Sequence, residues 1–141
     1  EGWALYSEAL AREVGFYTDP WNLYGHLEAD MLRAIRLVVD TGVHHLKWTR
    51  AQIVAYFRDH SAIAEIDLQS ETDRYIVWPG QALAYKIGQL KIVELRERAQ
   101  RELGAKFDIR GFHDELLSAG ALPMELLESR IDAWIARQKR G

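Results

Sequence analysis

The sequence of 141 residues contains no cysteine, which excludes disulfides, thiolate metal sites and a cysteine nucleophile. Its apolar runs are only a few residues long, whereas a membrane-spanning helix needs about 20. Basic residues number 18 and acidic residues 21, giving a net charge of -3. The chain therefore lacks the positive excess that drives nucleic-acid binding. Apolar residues make up 48% and charged residues 28%, which is typical of a folded globular protein rather than a disordered one.

The spacing of the apolar residues predicts helices. Apolar side chains recur every three or four positions almost throughout, and no stretch alternates as a strand would. The first two helices are predicted to end at Gly15 and Gly42. Their predicted inward side chains are Trp3, Tyr6, Leu10 and Val14, then Leu23, Leu27, Met31, Ala34, Ile35 and Val38. The pattern predicts an all-α fold, an irregular multi-helix bundle of six to seven helices in a single region over residues 1–141.

Capping residues and helix breakers divide the middle of the chain. Thr49, with Gln52 three residues on, has the sequence of a capping box that opens a third helix. Residues 59–70 are predicted to form a short helix or a turn. The helical pattern of residues 71–78 stops at the pair Pro79-Gly80, because proline inside a helix removes a hydrogen bond and clashes with the preceding turn. The predicted inward side chains of the third helix are Ile53, Tyr56 and Phe57.

The remainder of the chain predicts three further helices. A long helix is expected over residues 81–103 with Gly104 as its cap. Asp108 is expected to open the next helix and Pro123 the last one, whose tail over residues 137–140 is expected to fray. The predicted inward side chains are Leu83, Ile87, Leu90 and Ala99, then Phe112, Leu116 and Leu117, then Leu126, Leu127, Ile131, Trp134 and Ile135.

Polar and aromatic residues gather where the second helix is predicted to end. Arg36 and Asp40 lie four residues apart and can pair across one helical turn. The break at Thr41-Gly42 is followed at once by His44 and, further on, by Trp48. Such clusters at helix breaks often line pockets. The alternative is that His44 is a hydrogen-bonded histidine between two packed helices.

The Pro79-Gly80 break carries a second set of candidate residues. Arg74 and Tyr75 precede it, and Gln81 and Tyr85 follow it. The two tyrosines could direct phenol donors toward a cleft. Equally, they could be core residues whose hydroxyl groups reach the surface.

A complete zinc site is not expected within this sequence. No two of its five histidines are three or four residues apart, so the helical two-histidine zinc motif is absent. The acidic residues of the first helix, Glu1, Glu8 and Glu13, are interpreted most simply as a solvated face or as ordinary ion pairs. Taken alone, the chain is not expected to hold zinc with three protein ligands.

Several separate short motifs of the sequence, in the same order, resemble those of the bacterial DUF885 family, and the resemblance covers essentially the whole chain. These proteins are helical and related in fold and motif to zinc peptidases of the gluzincin type. The chain resembles the C-terminal part of the family. The matching words are Glu1-Gly2-Trp3-Ala4-Leu5-Tyr6, Asp40-Thr41-Gly42-Val43-His44, Asp73-Arg74-Tyr75, Trp78-Pro79-Gly80-Gln81-Ala82, Phe107-Asp108 and Phe112-His113.

The resemblance implies a metal role for Glu1. In the family, a helix with the pattern H-E-x-x-P-G-H lies upstream of this first word and supplies two zinc histidines and the general-base glutamate. The glutamate that corresponds to Glu1 is the expected third ligand. The resemblance therefore implies a fragment of a larger helical metallopeptidase-like fold. Zinc would be bound by the full-length parent and not by this fragment, and the compartment, cytoplasmic or exported, is not predicted.

The resemblance also implies roles for the residues at the two helix breaks. Tyr75 is the expected hydrogen-bond donor to the oxyanion. Its Arg-Tyr motif looks like that of the helical dipeptidyl carboxypeptidases, in which the tyrosine contacts the oxyanion. His44 is the expected donor to the substrate carbonyl. Arg74, Gln81 and Tyr85 are expected to line the substrate pocket.

Two functions follow as hypotheses. The first is a fragment of a zinc-dependent peptidase, inactive alone, whose partners are a peptide substrate and the missing N-terminal part of its own domain. The alternative is a non-catalytic helical module that binds a peptide or a protein, suggested by five tryptophans in a small chain. Exposed surface could then also allow self-association. DNA binding through residues 49–60 is disfavoured, because no basic stripe leads into that helix.

Overall fold

The computed structural model describes residues 1–140, and no β-strand occurs among them. They form seven α-helices: α1 (Gly2–Glu13), α2 (Pro20–His44), α3 (Arg50–His60), α4 (Glu65–Val77), α5 (Ala84–Leu103), α6 (Ile109–Leu117) and α7 (Met124–Arg140). Two short 3₁₀ helices, Gln81–Leu83 and Gly104–Lys106, precede and follow α5. The predicted all-α class with six to seven helices is confirmed. No helix in the described range is both long and apolar enough to cross a membrane.

The predicted helix starts are correct where a side chain caps the helix. Thr49 and Gln52 form the capping box at the start of α3, with both reciprocal hydrogen bonds present. The Asp108 carboxylate accepts hydrogen bonds from the backbone N–H groups of Arg110 and Gly111 at the start of α6. These bonds satisfy N–H groups that have no partner inside the helix.

Helix α4 is longer than predicted. It begins at Glu65, inside the stretch 59–70 that was expected to be a short helix or a turn. The Glu65 carboxylate pairs with Arg58 of α3 at 2.5 Å. Arg58 and Gln69 hydrogen-bond the Glu65 carboxylate and lower its pKa to about 2. An ion pair between two helices, which periodicity does not encode, holds the start of α4.

The tail of α7 does not fray as predicted, because the helix continues to Arg140. Lys139 pairs with Glu102 at 2.6 Å, and Arg137 pairs with Glu115 at 2.8 Å. Two side chains of this polar tail therefore have partners on α5 and α6.

Gly42 does not end α2 as predicted. It is buried inside the helix, which continues to His44. A Cβ atom at position 42 would lie 2.5 Å from Cε3 of Trp48. The glycine is there because the indole ring lies directly against the backbone of α2 and leaves no room for a side chain.

The chain forms two compact units, Glu1–Gln89 and the residues from Leu90 onward. In the first unit, α2, α3 and α4 pack together. The core of this group contains Ile35, Val39, Ile53, Val54, Phe57, Leu68, Tyr75 and Ala82. In the second unit, α6 packs on α7. Its buried apolar side chains are Ile92, Leu95, Ala99, Leu103, Phe112, Leu116, Leu127, Ile131, Trp134 and Ile135.

Several side chains that were predicted to point inward are exposed, and on α2 the reason is visible. The buried face of α2 includes the polar residues Arg36 and Asp40 beside Ile35 and Val39. Helical periodicity assigns apolar residues to the inside and cannot identify such a face. The predicted inward side chains that are exposed are Val14, Leu27, Met31, Val38, Ile87, Leu90, Leu117 and Leu126.

Candidate functional site

The predicted break at Pro79-Gly80 is a tight turn held by α2. Gly80 has φ +80°, a left-handed conformation that glycine adopts without steric cost. Its backbone N–H donates to both carboxylate oxygens of Asp40, at 3.0 and 3.2 Å. Asp40 is almost fully buried, so this backbone N–H compensates for part of the cost of desolvating its charge.

Arg36 does not pair with Asp40 as expected but reaches the residue after the turn. Its Nη2 donates to Oε1 of Gln81 at 2.9 Å. Its guanidinium carbon lies 4.5 Å from the ring centre of Tyr85 and 5.4 Å from that of Tyr75. Arg36 is 5% exposed, and its Nε has no hydrogen-bond partner among residues 1–140. Both α2 side chains therefore hold the Pro79-Gly80-Gln81 turn instead of each other.

Arg74 shares the Gln81 oxygen with Arg36. Its Nη2 donates to Gln81 Oε1 at 3.1 Å, and its Nη1 donates to Glu71 Oε1 at 3.0 Å. The Tyr75 hydroxyl donates to the other carboxylate oxygen of Glu71. Sequence reasoning missed Glu71. The signal was its position three and four residues before Arg74 and Tyr75, where helix side chains meet.

Tyr75 lies in the core of the first unit rather than on an open surface. It is almost fully buried, and its ring stacks on Phe57 with centroids 6.0 Å apart. Burial, followed by the hydrogen bond to Glu71 and the charge of that carboxylate, raises the pKa of the phenol well above its usual range. The phenol therefore stays protonated and acts as a donor, and in this arrangement it donates to Glu71.

The contact of His44 fixes its tautomer. His44 Nε2 lies 2.8 Å from the backbone carbonyl oxygen of Tyr75. A carbonyl oxygen can only accept, so Nε2 carries the hydrogen. In the neutral ring Nδ1 is then an acceptor, and the ring can donate to a substrate carbonyl only when it is protonated.

Glu1 is placed beside α5 by a contact between two glycines. Glu1 is exposed, and its side chain makes no capping hydrogen bond to α1. A Cβ on Gly2 would lie 2.4 Å from the carbonyl carbon of Gly88, and one on Gly88 would lie 2.7 Å from Cα of Gly2. Tyr85 precedes Gly88 by three residues and shares its face of α5. Gly2, the residue after Glu1, therefore packs on α5 at a position three residues beyond Tyr85.

The structure thus brings five of the six predicted site residues into one group in the first unit, whereas Glu1 is connected to α5 only through the packing of its neighbour Gly2 on Gly88. We call this group the polar cluster. It comprises Arg36, Asp40, His44, Glu71, Arg74, Tyr75, Gln81 and Tyr85. Its guanidinium groups can bind anions or carbonyl oxygens.

Within residues 1–140, no group of three or more histidine, aspartate or glutamate side chains is placed to hold a metal ion. Glu1 has an exposed carboxylate that could contribute one oxygen ligand. A catalytic zinc site takes three protein ligands. A cavity of about 240 Å³ lies in the second unit and contains none of the predicted site residues; Arg98, Glu102, Asp132, Ile135, Ala136 and Lys139 line it.

Comparison with known proteins assigns the family. Residues 1–131 match the family described as "Bacterial protein of unknown function (DUF885)", and the chain belongs to that family. A similar solved structure is "The crystal structure of the putative lipoprotein from Colwellia psychrerythraea", with 50% identity and a TM-score of 0.94. The match covers 97% of this chain and 24% of that one, so the chain spans about a quarter of the length of its relative. No curated protein matches the chain.

Proposed function

We propose that this chain is part of a zinc-dependent peptidase, to which it contributes the third metal ligand, Glu1, and one wall of the substrate cleft. The proposal rests on the DUF885 resemblance and on one observation of the structure. The contact between Gly2 and Gly88 brings the start of α1, and with it Glu1, to the face of α5 that carries Tyr85. This contact supports the proposal because peptide hydrolysis needs a metal ligand and hydrogen-bond donors near one another.

Zinc, when bound, would polarise the peptide carbonyl and lower the pKa of a water molecule. Among this chain's own residues, the Glu1 carboxylate fits the ligand role because it is exposed and makes no capping hydrogen bond. Gln81, Tyr85 and Arg74 are partly exposed and would contact the bound peptide. They form the proposed pocket wall.

Tyr75 is proposed as the donor to the oxyanion of the tetrahedral intermediate. The raised pKa keeps its proton on the phenol oxygen at neutral pH, as a donor requires. Its hydroxyl would have to exchange the carboxylate of Glu71 for the oxyanion. Loss of one such donor typically lowers kcat by about 100- to 1,000-fold.

His44 is proposed as a second donor, to the carbonyl of the substrate. Because Nε2 already serves the Tyr75 carbonyl oxygen, the donating atom would be Nδ1 of the protonated ring.

The experiment measures zinc in the full-length protein that contains this segment. We expect about one zinc per protein and hydrolysis of an unstructured peptide. The substitution Glu1→Gln removes a charged oxygen ligand and should weaken zinc binding by more than about 100-fold, since even changes to residues that only hydrogen-bond the metal ligands cost about 10- to 100-fold. Glu125→Gln is the matched control, because Glu125 is an exposed glutamate in the first turn of α7. Full zinc occupancy in the Glu1 variant would refute the metal role.

A second candidate function, a non-catalytic binding module, is favoured by one observation. Phe16, between α1 and α2, and Trp21, in the first turn of α2, are 78% and 79% exposed. Exposed aromatic side chains close together often mark contact surfaces. If they bind a partner or a second copy, Trp21→Ser should reduce association in light scattering across a dilution series. A monomer at all concentrations, with or without the substitution, would contradict self-association.

A further inference from the structure

Arg36 is the arginine of the polar cluster that has no carboxylate partner. It is 5% exposed, and its guanidinium donates to the neutral amide oxygen of Gln81. The nearby carboxylates are bound elsewhere, Asp40 to the backbone N–H of Gly80 and Glu71 to Arg74 and Tyr75. A buried charge without a counter-ion is unfavourable, and Arg36 Nε also lacks a hydrogen-bond partner within residues 1–140.

A second guanidinium converges on the same acceptor. Gln81 Oε1 lies 2.9 Å from Nη2 of Arg36 and 3.1 Å from Nη2 of Arg74. A neutral oxygen therefore stands where a carboxylate would pair with both cations. Guanidinium groups bind carboxylates through two parallel, charge-assisted hydrogen bonds.

The residues around Arg36 differ in their exposure to solvent. Tyr75 is almost fully buried, whereas Tyr85, Gln81 and Arg74 are partly exposed and form an accessible edge. A ligand that reached this edge would meet two positive groups and the Tyr85 ring.

We propose that Arg36, assisted by Arg74, binds the C-terminal carboxylate of the peptide. The inference rests on the proposed peptidase function and assigns its substrate class, which is peptides bound by a free C-terminus. An aspartate or glutamate side chain of the peptide offers the same carboxylate chemistry. The experiment must therefore distinguish these two sources.

The test measures peptide binding to the full-length protein by calorimetry. Three versions of one peptide are compared: a free C-terminus, an amidated C-terminus, and an amidated C-terminus with a glutamate as the last residue. The free acid should bind at least about 10-fold more tightly than either amide, as expected for a charge-assisted bidentate contact. Equal affinity of the free acid and the plain amide would overturn the inference, and tight binding of the glutamate amide would overturn the assignment to the C-terminus.

Two variants test the residues. Arg36→Met removes the cation and should reduce the affinity for the free acid to that for the amide. Gln81→Glu places a carboxylate between the two arginines and should have the same effect in a fully folded protein, because it supplies the missing counter-ion internally. Arg33→Met is the control, since Arg33 is on the same helix and pairs with Glu8 at 3.2 Å, outside the polar cluster. Retained preference for the free acid in Gln81→Glu would contradict the assignment.

Cleavage of the same peptides is a separate measurement. If the free acid binds preferentially and is not hydrolysed by the zinc-loaded protein, the peptidase proposal fails while carboxylate binding stands. If free acid and amide bind and are hydrolysed equally, the peptidase proposal stands and the C-terminal preference fails.

Discussion

Replacing Gly88 by alanine tests the contact that places Glu1 beside α5. The added Cβ would lie 2.7 Å from Cα and 3.1 Å from N of Gly2. Both neighbours are backbone atoms, which cannot move aside as a flexible side chain can. The start of α1 must therefore shift away from α5 for the variant to fold.

The expected magnitude follows from two opposing terms. Overpacking of this kind costs about 1–3 kcal/mol, and the upper end applies because backbone meets backbone. Alanine in place of glycine within a helix raises the free energy of unfolding by about 1 kcal/mol. The net loss is about 2 kcal/mol, and at about 4 °C per kcal/mol for a chain of this size the melting temperature should fall by about 8 °C.

Gly25→Ala is the matched control in another helix. Gly25 lies within α2, and a Cβ there would have no heavy atom within 4 Å. This variant should gain about 0.4–1 kcal/mol, so the two substitutions should shift the melting temperature in opposite directions. Thermal unfolding followed by far-UV circular dichroism measures both. A Gly88→Ala protein as stable as Gly25→Ala would refute the close contact between α1 and α5.

Two further substitutions test the polar cluster and a helix cap. Tyr75→Phe leaves the Glu71 carboxylate without one donor and should cost about 1–3 kcal/mol in urea unfolding. Because the folded pKa of Tyr75 is raised above its unfolded value near 10, its stabilisation is complete below pH 10 and lost as pH rises further. The Tyr75→Phe variant should lack this loss of stability at alkaline pH. A pH profile of stability identical to that of the unsubstituted protein would contradict the burial of the phenol. Thr49→Ala removes the cap of α3 and should cost about 1 kcal/mol, lowering the melting temperature by about 4 °C. An unchanged midpoint would show that the cap contributes nothing.

The sequence predicted helix boundaries best where a local interaction sets them. Thr49 and Asp108 cap their helices through side chains only two or three residues away, and Pro79-Gly80 stops a helix through its own backbone. Such capping and helix-breaking residues lie within about one helical turn of the boundary, so they can be recognised from the sequence alone. Glu65 could not be predicted as the start of α4, because its partner Arg58 lies on another helix.

Glycines were harder to interpret. Gly15 and Gly104 have positive φ, at +77° and +52°, and follow helices as predicted. Gly42 also follows a stretch with helical apolar spacing, but it has a different role, because a tryptophan ring packs on it. A sequence pattern cannot distinguish a helix stop from a close contact when the contact partner is distant in the fold.

Most residues of the polar cluster were identified from the sequence, but Glu71 and the contacts among the residues were not. Arg74, Tyr75, Gln81 and Tyr85 were identified around the break, and the structure brings them together. Arg36 was considered only as a partner for Asp40, whereas it crosses to Gln81. Periodicity treats an arginine four residues from an aspartate as a surface pair, and tertiary packing decides otherwise when both are buried.

The most direct test of the account is anomalous diffraction at the zinc edge from crystals of the full-length protein. The account predicts one zinc peak bound by a carboxylate oxygen of Glu1 at about 2.0–2.2 Å. A zinc peak bound by other ligands with Glu1 unbound would contradict the metal role of Glu1. Crystals of zinc-loaded protein with no zinc peak near Glu1 would contradict it as well.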